Sequence, residues 1–398
     1  MAALARQLQR LLWTACKKKE REKEGEEEEE DEEEGRGALD GPRGRTEGAE
    51  ASWGLRFGAS AAQGWRARME DAHCTWLSLP GLPPGWALFA VLDGHGGARA
   101  ARFGARHLPD HVLEELGPEP SEPEGVREAL RRAFLSADKR LRSLWPRVET
   151  GGSTAVALLV SPRFLYLAHC GDSRAVLRRA GAVAFSTEDH RPLRPRERER
   201  IHAAGGTIRR RRVEGSLAVS RALGDFAYKE APGRPPELQL VSAEPEVAAL
   251  ARQAEDEFML LASDGVWDTM SGAALAGLVA SRLRLGLAPE LLCAQLLDTC
   301  LCKVLGAWRG IFEAWCSKGR KPRGFGEEGF DAEARVKLEE GMGLKRRAWH
   351  EVGRAKIQER SLRDALRQEG RVSGRDLRER AWSFGMGQFW VIGARPEV

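Results

Sequence analysis

The stretch LFAVLDGHGG, residues 88–97, places an aspartate and a histidine directly after an apolar run. Residues 88–92 are apolar without interruption, which is typical of a strand buried on both faces. Asp93 and His95 then follow among three glycines, which leave space around the two polar side chains. This pattern predicts a buried strand that ends in a functional loop at the edge of a sheet.

Carboxylates occur in the same kind of position at two other points of the chain. Glu70 and Asp71 stand in RARMEDAH, and Asp264 follows the apolar run of MLLAS. Because carboxylates at strand ends are exposed at a sheet edge, we expect these groups to converge with Asp93. Hard oxygen ligands of this kind suit Mg²⁺ or Mn²⁺. Two such ions about 3.5–4 Å apart can share a hydroxide and direct it at phosphorus.

Two further side chains suit a phosphate ester. Arg66 offers a planar fork of donors for a phosphate, and His95 can protonate a leaving alkoxide. Each feature taken singly also has a structural explanation, because Asp-Gly is commonest in turns and a lone histidine is commonly structural. The arginines at 209–212 have the character of a solvated loop, and GDSRA (171–175) and ALGD (222–225) are typical of tight turns. The hypothesis of a phosphate-cleaving site therefore depends on these features occurring together.

The composition bounds the class of protein. The 398 residues are 42% apolar and 31% charged, as in a soluble globular core with polar extensions. The longest apolar runs are too short for a membrane-spanning helix. Seven cysteines, an odd number without a Cys-x-x-Cys pair, fit a reducing compartment, so we expect a cytoplasmic or nuclear protein. The net charge of +4 gives no reason to expect a nucleic-acid partner, and we expect a monomer.

Apolar and amphipathic stretches predict the elements of a folded domain. The predicted strands are WALFAVL (86–92), STAVALLV (153–160), FLYLAHC (164–170), RAVLRRAG (174–181) and EFMLLAS (257–263). The predicted helices form two pairs, 97–116 with 125–144 and 272–286 with 288–301. Helix pairs that alternate with groups of strands indicate helices packed outside antiparallel sheets, an α+β arrangement.

The order of these features resembles the metal-dependent serine/threonine protein phosphatases, the PPM or type 2C family. The lead-in WGLRFGASAAQGW (53–65) looks most like the magnesium-dependent branch of that family. The resemblance covers about residues 53–301 and is carried by GWRARMEDAH (64–73), LFAVLDGHGG (88–97), GGSTAVALLV (151–160), LAHCGDSRAVL (167–177), SLAVSRALGDFAYK (216–229) and LASDGVWD (261–268).

The resemblance implies a four-layer α-β-β-α sandwich, in which two antiparallel sheets lie between pairs of helices. It also implies two Mg²⁺ or Mn²⁺ ions in a cleft at one end of the sandwich, whose shared water or hydroxide attacks a phosphoserine or phosphothreonine ester. By matching position, Asp93 would bridge both ions and the carbonyl of Gly94 would bind one of them. Asp264 would be a carboxylate ligand of the other ion.

The remaining roles follow from the same resemblance. Glu70 and Asp71 would serve the metals directly or through water, and Asp172 matches a residue of a third, weaker metal position. Arg66 would hold the substrate phosphate, and His95 would act as the general acid. RVEGSLAVSRALGD would belong to a flap beside the cleft. The implied partners are phosphorylated protein substrates.

The resemblance ends near LLDTCLCK (296–303). The family places one more metal ligand, an aspartate in an Asp-Asn-Met stretch, at the start of a core strand after the last helix pair. This chain contains no asparagine, so that dipeptide is absent. We therefore expect one metal ligand and one C-terminal strand to be missing. The alternatives are that Asp298 or Asp331 replaces the ligand and that QFWVI fills the strand position.

Three regions are therefore predicted. Residues 1–50 form a disordered N-terminal region, with a basic amphipathic segment that favours a frayed helix over a membrane-surface helix or transit peptide, followed by nine acids at 26–34. Residues 51–303 form a C-terminally incomplete PPM-type phosphatase domain. Residues 304–398 form a divergent, weakly ordered tail rich in arginine and glutamate.

Two alternatives to an active phosphatase stay open. The chain without its last ligand motif would be a catalytically impaired pseudophosphatase that binds phosphoproteins. The arginine-rich tail would alternatively make it a scaffold for polyanions, which salt-dependent binding would reveal.

Overall fold

The structure is a computed structural model and describes residues 46–301 and 388–394, apart from positions 52, 53, 65, 67, 119, 121, 122 and 146–149. The predicted N-terminal helix and acidic run, Asp331 and most of the predicted tail lie outside these residues. The domain boundaries proposed from the sequence stay predictions.

The strands of the described residues are, in chain order, β1 (Thr46–Glu50), β2 (Leu55–Ala61), β3 (Ala72–Trp76), β4 (Ala87–Leu92), β5 (Gly94–His95), β6 (Gly152–Ser153), β7 (Ala155–Val160), β8 (Phe164–Cys170), β9 (Arg174–Arg179), β10 (Ala182–Ser186), β11 (Ile208–Arg209), β12 (Arg212–Val213), β13 (Leu223–Gly224), β14 (Glu246–Ala251), β15 (Asp256–Ala262) and β16 (Gln388–Ala394). The helices are α1 (Arg99–Leu116), α2 (Pro123–Leu144), α3 (Pro195–Ala203), α4 (Asp264–Trp267), α5 (Gly272–Arg284) and α6 (289–301).

Two large antiparallel sheets form the framework. One has five strands in the order β14-β8-β7-β4-β3, and the other has six in the order β1-β2-β16-β15-β9-β10. Two small sheets accompany them, β13-β6-β5 and the hairpin β11-β12. Every strand and helix predicted from the apolar runs is present, with bounds that differ by a few residues.

Three hydrophobic cores separate four layers. The first core joins the five-stranded sheet to α1 and α2, with Leu88, Leu92 and Phe134 among its members. The second lies between the two sheets, where the rings of Phe57 and Phe89 are 5.6 Å apart. The third joins the six-stranded sheet to the segment of α4, α5 and α6. This arrangement confirms the α+β sandwich of two sheets flanked by helices.

The layer order explains why the strands read as unbroken apolar runs. Along β4, Leu88 and Leu92 face the helices while Phe89 and Val91 face the other sheet. Both faces of this antiparallel sheet are therefore covered, and all six residues of β4 have 0% exposure. The strand loses the alternation of apolar and polar residues that a half-exposed antiparallel strand shows.

The expectation of a missing C-terminal strand is wrong. Residues 388–394 form β16, which pairs antiparallel with β2 on one side and with β15 on the other. Val391 is buried in the core with the helices and Ile392 in the core between the sheets, as neighbouring residues of a strand must be when both faces are covered. The alternative that QFWVI fills the strand position is the one that the structure shows.

No helix among the described residues combines the length and apolar character needed to cross a membrane.

Candidate active site

The loop after β4 is held by backbone contacts that leave no room for larger side chains. Gly94 and His95 form β5 and pair with Ser153 and Gly152. A Cβ atom on Gly94 would stand 2.3 Å from the carbonyl oxygen of Glu70, so only glycine fits there. Oε1 of Glu70 accepts a hydrogen bond of 2.7 Å from the backbone N–H of Gly97. Glu70 therefore fixes the loop that carries Asp93 and His95.

Three aspartates from separate segments meet beside this loop. Asp71 precedes β3, Asp93 follows β4, and Asp264 begins α4 two residues after the end of β15. The carboxyl group of Asp93 lies close to those of both Asp71 and Asp264, so it occupies the middle of the group. The three carboxylates are brought together as expected from the sequence, but from strand ends of both large sheets and not at the edge of one sheet.

Burial and mutual repulsion act together on these carboxyl groups. Burial, followed by the charge of Asp264, raises the pKa of Asp71 to about 7. Burial and the charges of Asp71 and Asp172 raise the pKa of Asp93 well above its ordinary value. Burial and the charge of Asp93 do the same to the pKa of Asp264. Arg66 lies close enough to Asp71 and Asp93 to oppose these shifts.

His95 is held by a partner that the sequence analysis did not identify. Its Nε2 lies 2.7 Å from Oδ2 of Asp225, a buried residue that follows β13 in a left-handed backbone conformation with φ of 51°. Burial lowers the pKa of His95, but the hydrogen bond to Asp225 and its charge outweigh burial, so the pKa is raised. The stretch ALGD is typical of a tight turn, and only the pairing of β13 with β6 shows that it delivers a carboxylate to His95.

Comparison with known proteins shows the family. The protein phosphatase 2C family matches residues 55–303. The chain is 91% identical over 313 residues to "Probable protein phosphatase 1N" of Homo sapiens, which covers 76% of this chain and 73% of the relative. It is 46% identical to human "Protein phosphatase 1B" over 67% of this chain and 58% of that protein.

The chain belongs to the protein phosphatase 2C family.

Among solved structures, a crystal structure of a phosphatase from a pathogenic strain of Toxoplasma gondii is similar, with a TM-score of 0.57 and 26% identity. The similarity covers 65% of this chain and 92% of that one. As a member of the protein phosphatase 2C family, the chain is a metal-dependent serine/threonine phosphatase, and the resemblance read from its motifs is confirmed.

The aspartate group of this family member fits a cation. The side chains of Asp71, Asp93 and Asp264 crowd together although their like charges repel, and a divalent cation would neutralise that charge. Oδ2 of Asp71 is buried and accepts no hydrogen bond from the described residues. Hard carboxylate oxygens are also the donors that Mg²⁺ and Mn²⁺ prefer.

Asp172 lies at the side of this group and is already paired. Its Oδ2 is 3.0 Å from Nη1 of Arg191, and Arg191 also contacts Asp189. Burial raises the pKa of Asp172 despite the opposing charge of Arg191. Asp268, one turn after Asp264, raises the pKa values of Asp172 and Asp264 and belongs to the same negatively charged region.

In the described residues, neither β16 nor Asp298 brings a further carboxylate to the aspartate group. Phe389 pairs with Ala262, so β16 begins beside the end of β15 from which Asp264 follows. The chain has no acidic residue from 380 to 396, so this strand brings no neighbouring carboxylate. Asp298 lies on α6 and is not among the main charges acting on Asp93 or Asp264.

A separate cluster joins β8 to β14. Potential metal-binding atoms of His169, His190 and Glu246 lie within 4.8 Å of one another. The two rings are stacked with centroids 4.6 Å apart, so one ion cannot lie in the plane of both. Glu246 accepts a 2.9 Å hydrogen bond from Arg194, and burial lowers the pKa of His190 to about 4. These contacts describe an ion-paired structural junction.

Proposed function

We propose that this phosphatase hydrolyses phosphoserine and phosphothreonine esters of proteins with the help of two Mg²⁺ or Mn²⁺ ions. The observation that carries the proposal is the contact of Asp93 with both Asp71 and Asp264, next to the bonded pair His95–Asp225. Segments that are distant in sequence, and that belong to two different sheets, thus bring acidic, basic and imidazole groups together.

The residues that would hold the ions are Asp93, Asp264, Asp71 and the carbonyl of Gly94, with Asp172 beside a third, weaker position. When bound, the ions would neutralise phosphate charge and activate a water for attack on phosphorus. The protein contributes the position of these oxygens. Glu70 holds the glycine loop through Gly97, and the glycines of that loop place no side chains beside Asp93.

Arg66 and His95 would act on the substrate. Arg66 lies beside the carboxylates and would orient the phosphate through its guanidinium fork. His95 would donate a proton to the leaving alkoxide. Because its Nε2 is bonded to Asp225, the proton delivered to substrate would come from Nδ1, and Asp225 would fix the ring in that orientation.

The proposed activity has a direct test on the full chain. With a phosphothreonine peptide and a small phosphate ester as substrates, we expect hydrolysis that requires added Mn²⁺ or Mg²⁺ and stops in excess EDTA. Equal turnover in EDTA would refute the metal requirement. If the small ester is hydrolysed and the phosphothreonine peptide is not, the proposal that phosphoproteins are the substrates would be refuted.

An impaired enzyme that binds phosphoproteins is the second candidate, and one observation favours it. The strand that completes the sheet begins with no carboxylate beside it, whereas the family pattern has an aspartate there. We therefore propose weak metal binding for this form, and turnover that needs high metal concentrations. Monomeric state and cytoplasmic or nuclear location also stay predictions.

Gly387→Asp is expected to improve metal binding, because residue 387 directly precedes β16 in sequence. A carboxylate supplied there should lower the Mn²⁺ concentration for half-maximal activity by about 10-fold or more. It should also increase the rise of Tm that Mn²⁺ causes, which is a readout independent of turnover. Gly387→Asn is the matched control without charge. Identical metal titrations of all three chains would show that the ligand set needs no carboxylate at this position.

A further inference from the structure

The segment from Arg191 to Arg221 carries an excess of positive charge that the active site does not explain. It contains ten arginines and three glutamates. Several of these arginines are paired within the fold, as Arg200 and Arg221 are with the buried Glu197. The four consecutive arginines 209–212 are all exposed, and none forms an ion pair within the described residues. Arg212 donates a 2.7 Å hydrogen bond to the carbonyl of Ser216, and the hairpin carries four positive charges against the single negative charge of Glu214.

These arginines form the tip of a hairpin whose turn does not favour them. Arg209 pairs with Arg212, which leaves Arg210 and Arg211 as the two turn residues. Their φ values of 51° and 64° lie in the left-handed region. A two-residue hairpin turn with positive φ at both positions favours Asn-Gly, and arginine is strained there. Backbone stability therefore does not account for arginine at either position, and strain of this kind is common at functional sites.

The stem below the tip is fixed. The backbone N–H of Thr207 donates to Oε1 of Glu214 at 2.5 Å, and the N–H of Glu214 donates to the carbonyl of Thr207 at 2.9 Å. Val213 is fully buried and its N–H donates to the carbonyl of Leu217 at 2.8 Å. The exposed arginines thus project from a well-packed base, which lowers the entropy lost when a ligand binds them.

The same segment leads directly into the catalytic region. After the hairpin, Ser220 and Arg221 are locked onto Glu197 by hydrogen bonds of 2.7 and 2.8 Å. The chain then reaches Asp225, the partner of His95. Arg212 and Asp225 are thirteen positions apart in the chain, so the two are at most about 45 Å apart, a span that an extended peptide can bridge.

We propose that the Arg209–Arg212 tip recognises an acidic segment of the phosphoprotein substrate, at some distance from the phosphorylated residue. The proposal rests on the proposed function and names a substrate class for the same site. Forked guanidinium groups bind carboxylates, and exposed charges favour encounter with acidic chains. The described residues 205–222 include no exposed large apolar side chain for insertion into a membrane and no aromatic ring for base stacking. An acidic peptide is therefore the ligand that the surface favours.

The test compares matched phosphothreonine peptides on two variants. The peptides differ only in a block of four residues, acidic or neutral, placed on either side of the phosphothreonine at spacings up to about twelve residues. Arg210→Asn/Arg211→Gly removes two charges and installs the preferred turn pair, so this variant should fold at least as well. Arg282→Gln/Arg284→Gln removes two exposed charges from α5 and is the matched control.

The hairpin variant should lose about 3- to 30-fold in the preference of kcat/KM for acidic over neutral peptides, mainly through KM. Its hydrolysis of a small phosphate ester should be unchanged, and the α5 variant should retain the preference. An unchanged preference, or an equal loss in both variants, would overturn the proposal. The proposal would also be overturned if the hairpin substitutions weakened binding of RNA or of vesicles containing phosphatidylserine but had no effect on acidic peptides.

Peptide binding by fluorescence anisotropy, measured in parallel, separates the two proposals. A chain that hydrolyses no phosphate ester would refute the proposed function, yet its selective binding of acidic peptides through the hairpin would support recognition. If the chain hydrolyses phosphate esters but shows no preference for acidic peptides, only the proposed recognition of acidic segments by the hairpin would be refuted.

Discussion

Replacing Asp93 with asparagine is expected to lower metal-dependent phosphatase activity by on the order of 1000-fold or more while stabilising the metal-free protein. Asp93 is the carboxylate in contact with both Asp71 and Asp264, so its loss removes the centre of the ligand group. The same burial and repulsion that raise its pKa make it unfavourable in the metal-free fold. Asparagine has nearly the same shape and no charge, and it relieves that cost.

The two effects have separate measurements. Hydrolysis of a phosphate ester over a Mn²⁺ titration gives the activity, and thermal unfolding in EDTA gives the stability. Because burial and repulsion disfavour the charged form of Asp93, the metal-free Tm of Asp93→Asn should be higher than that of the unmodified chain. Added Mn²⁺ should raise the Tm of the unmodified chain and have little effect on the variant.

A surface substitution controls for general loss of charge. Glu255→Gln removes one negative charge from an exposed position and should leave both measurements unchanged. Asp264→Asn should act in the same direction as Asp93→Asn. Retention of normal metal-dependent turnover by Asp93→Asn would contradict the proposed role of this group, and a lower metal-free Tm would contradict its electrostatic description.

The core strands could be read from the sequence because burial on both faces leaves a strong local signal. The residues of β4 and β7 are all apolar, since each strand lies between a helix layer and a second sheet. The convergence of Asp93 and Asp264 was also predictable, because Asp93 directly follows β4 and Asp264 comes two residues after the apolar end of β15. In these places local sequence and tertiary position are tightly linked.

Asp225 and the tip at 209–212 could not be assigned because their roles depend on contacts between distant residues. Asp225 stands 130 positions from His95, and nothing in ALGD distinguishes a carboxylate that supports a histidine from one that ends a turn. The strain at Arg210 and Arg211 is visible only once the φ angles are known.

Local sequence gives only a weak signal for the strand β16, for a related reason. Its apolar run is short, and 86 residues separate it from the last residue described in α6. The entropic cost of closing a loop rises only slowly with loop length, so a long intervening segment does not prevent a strand from pairing in the sheet. Whether residues 388–394 form a strand depends on the position between β2 and β15, where they can pair on both sides. The local sequence pattern carries no information about that position.

Removing residues 388–398 is expected to prevent formation of a stable folded domain. β16 lies between β2 and β15, so its loss would leave unpaired backbone groups on both strands and uncover two cores. Truncating Ile392 alone to alanine should cost about 2–5 kcal/mol, because its side chain is 3% exposed between the sheets. Since a domain of this kind is stable by only about 5–15 kcal/mol, losing the whole strand should exceed that margin.

A graded series makes this expectation specific to the strand. Ile392→Val should cost only about 0.5–1.5 kcal/mol, Ile392→Ala several times more, and Ile392→Asp should behave like the truncated chain because it buries an unpaired charge between the sheets. Chemical denaturation monitored by tryptophan fluorescence gives the first two values. A synthetic peptide of residues 386–396 added to the truncated chain should restore a cooperative transition in a concentration-dependent way. A truncated chain that unfolds with the same midpoint as the full chain would show that β16 does not hold the two sheets together, and the completed six-stranded sheet would then have no part in positioning Asp264.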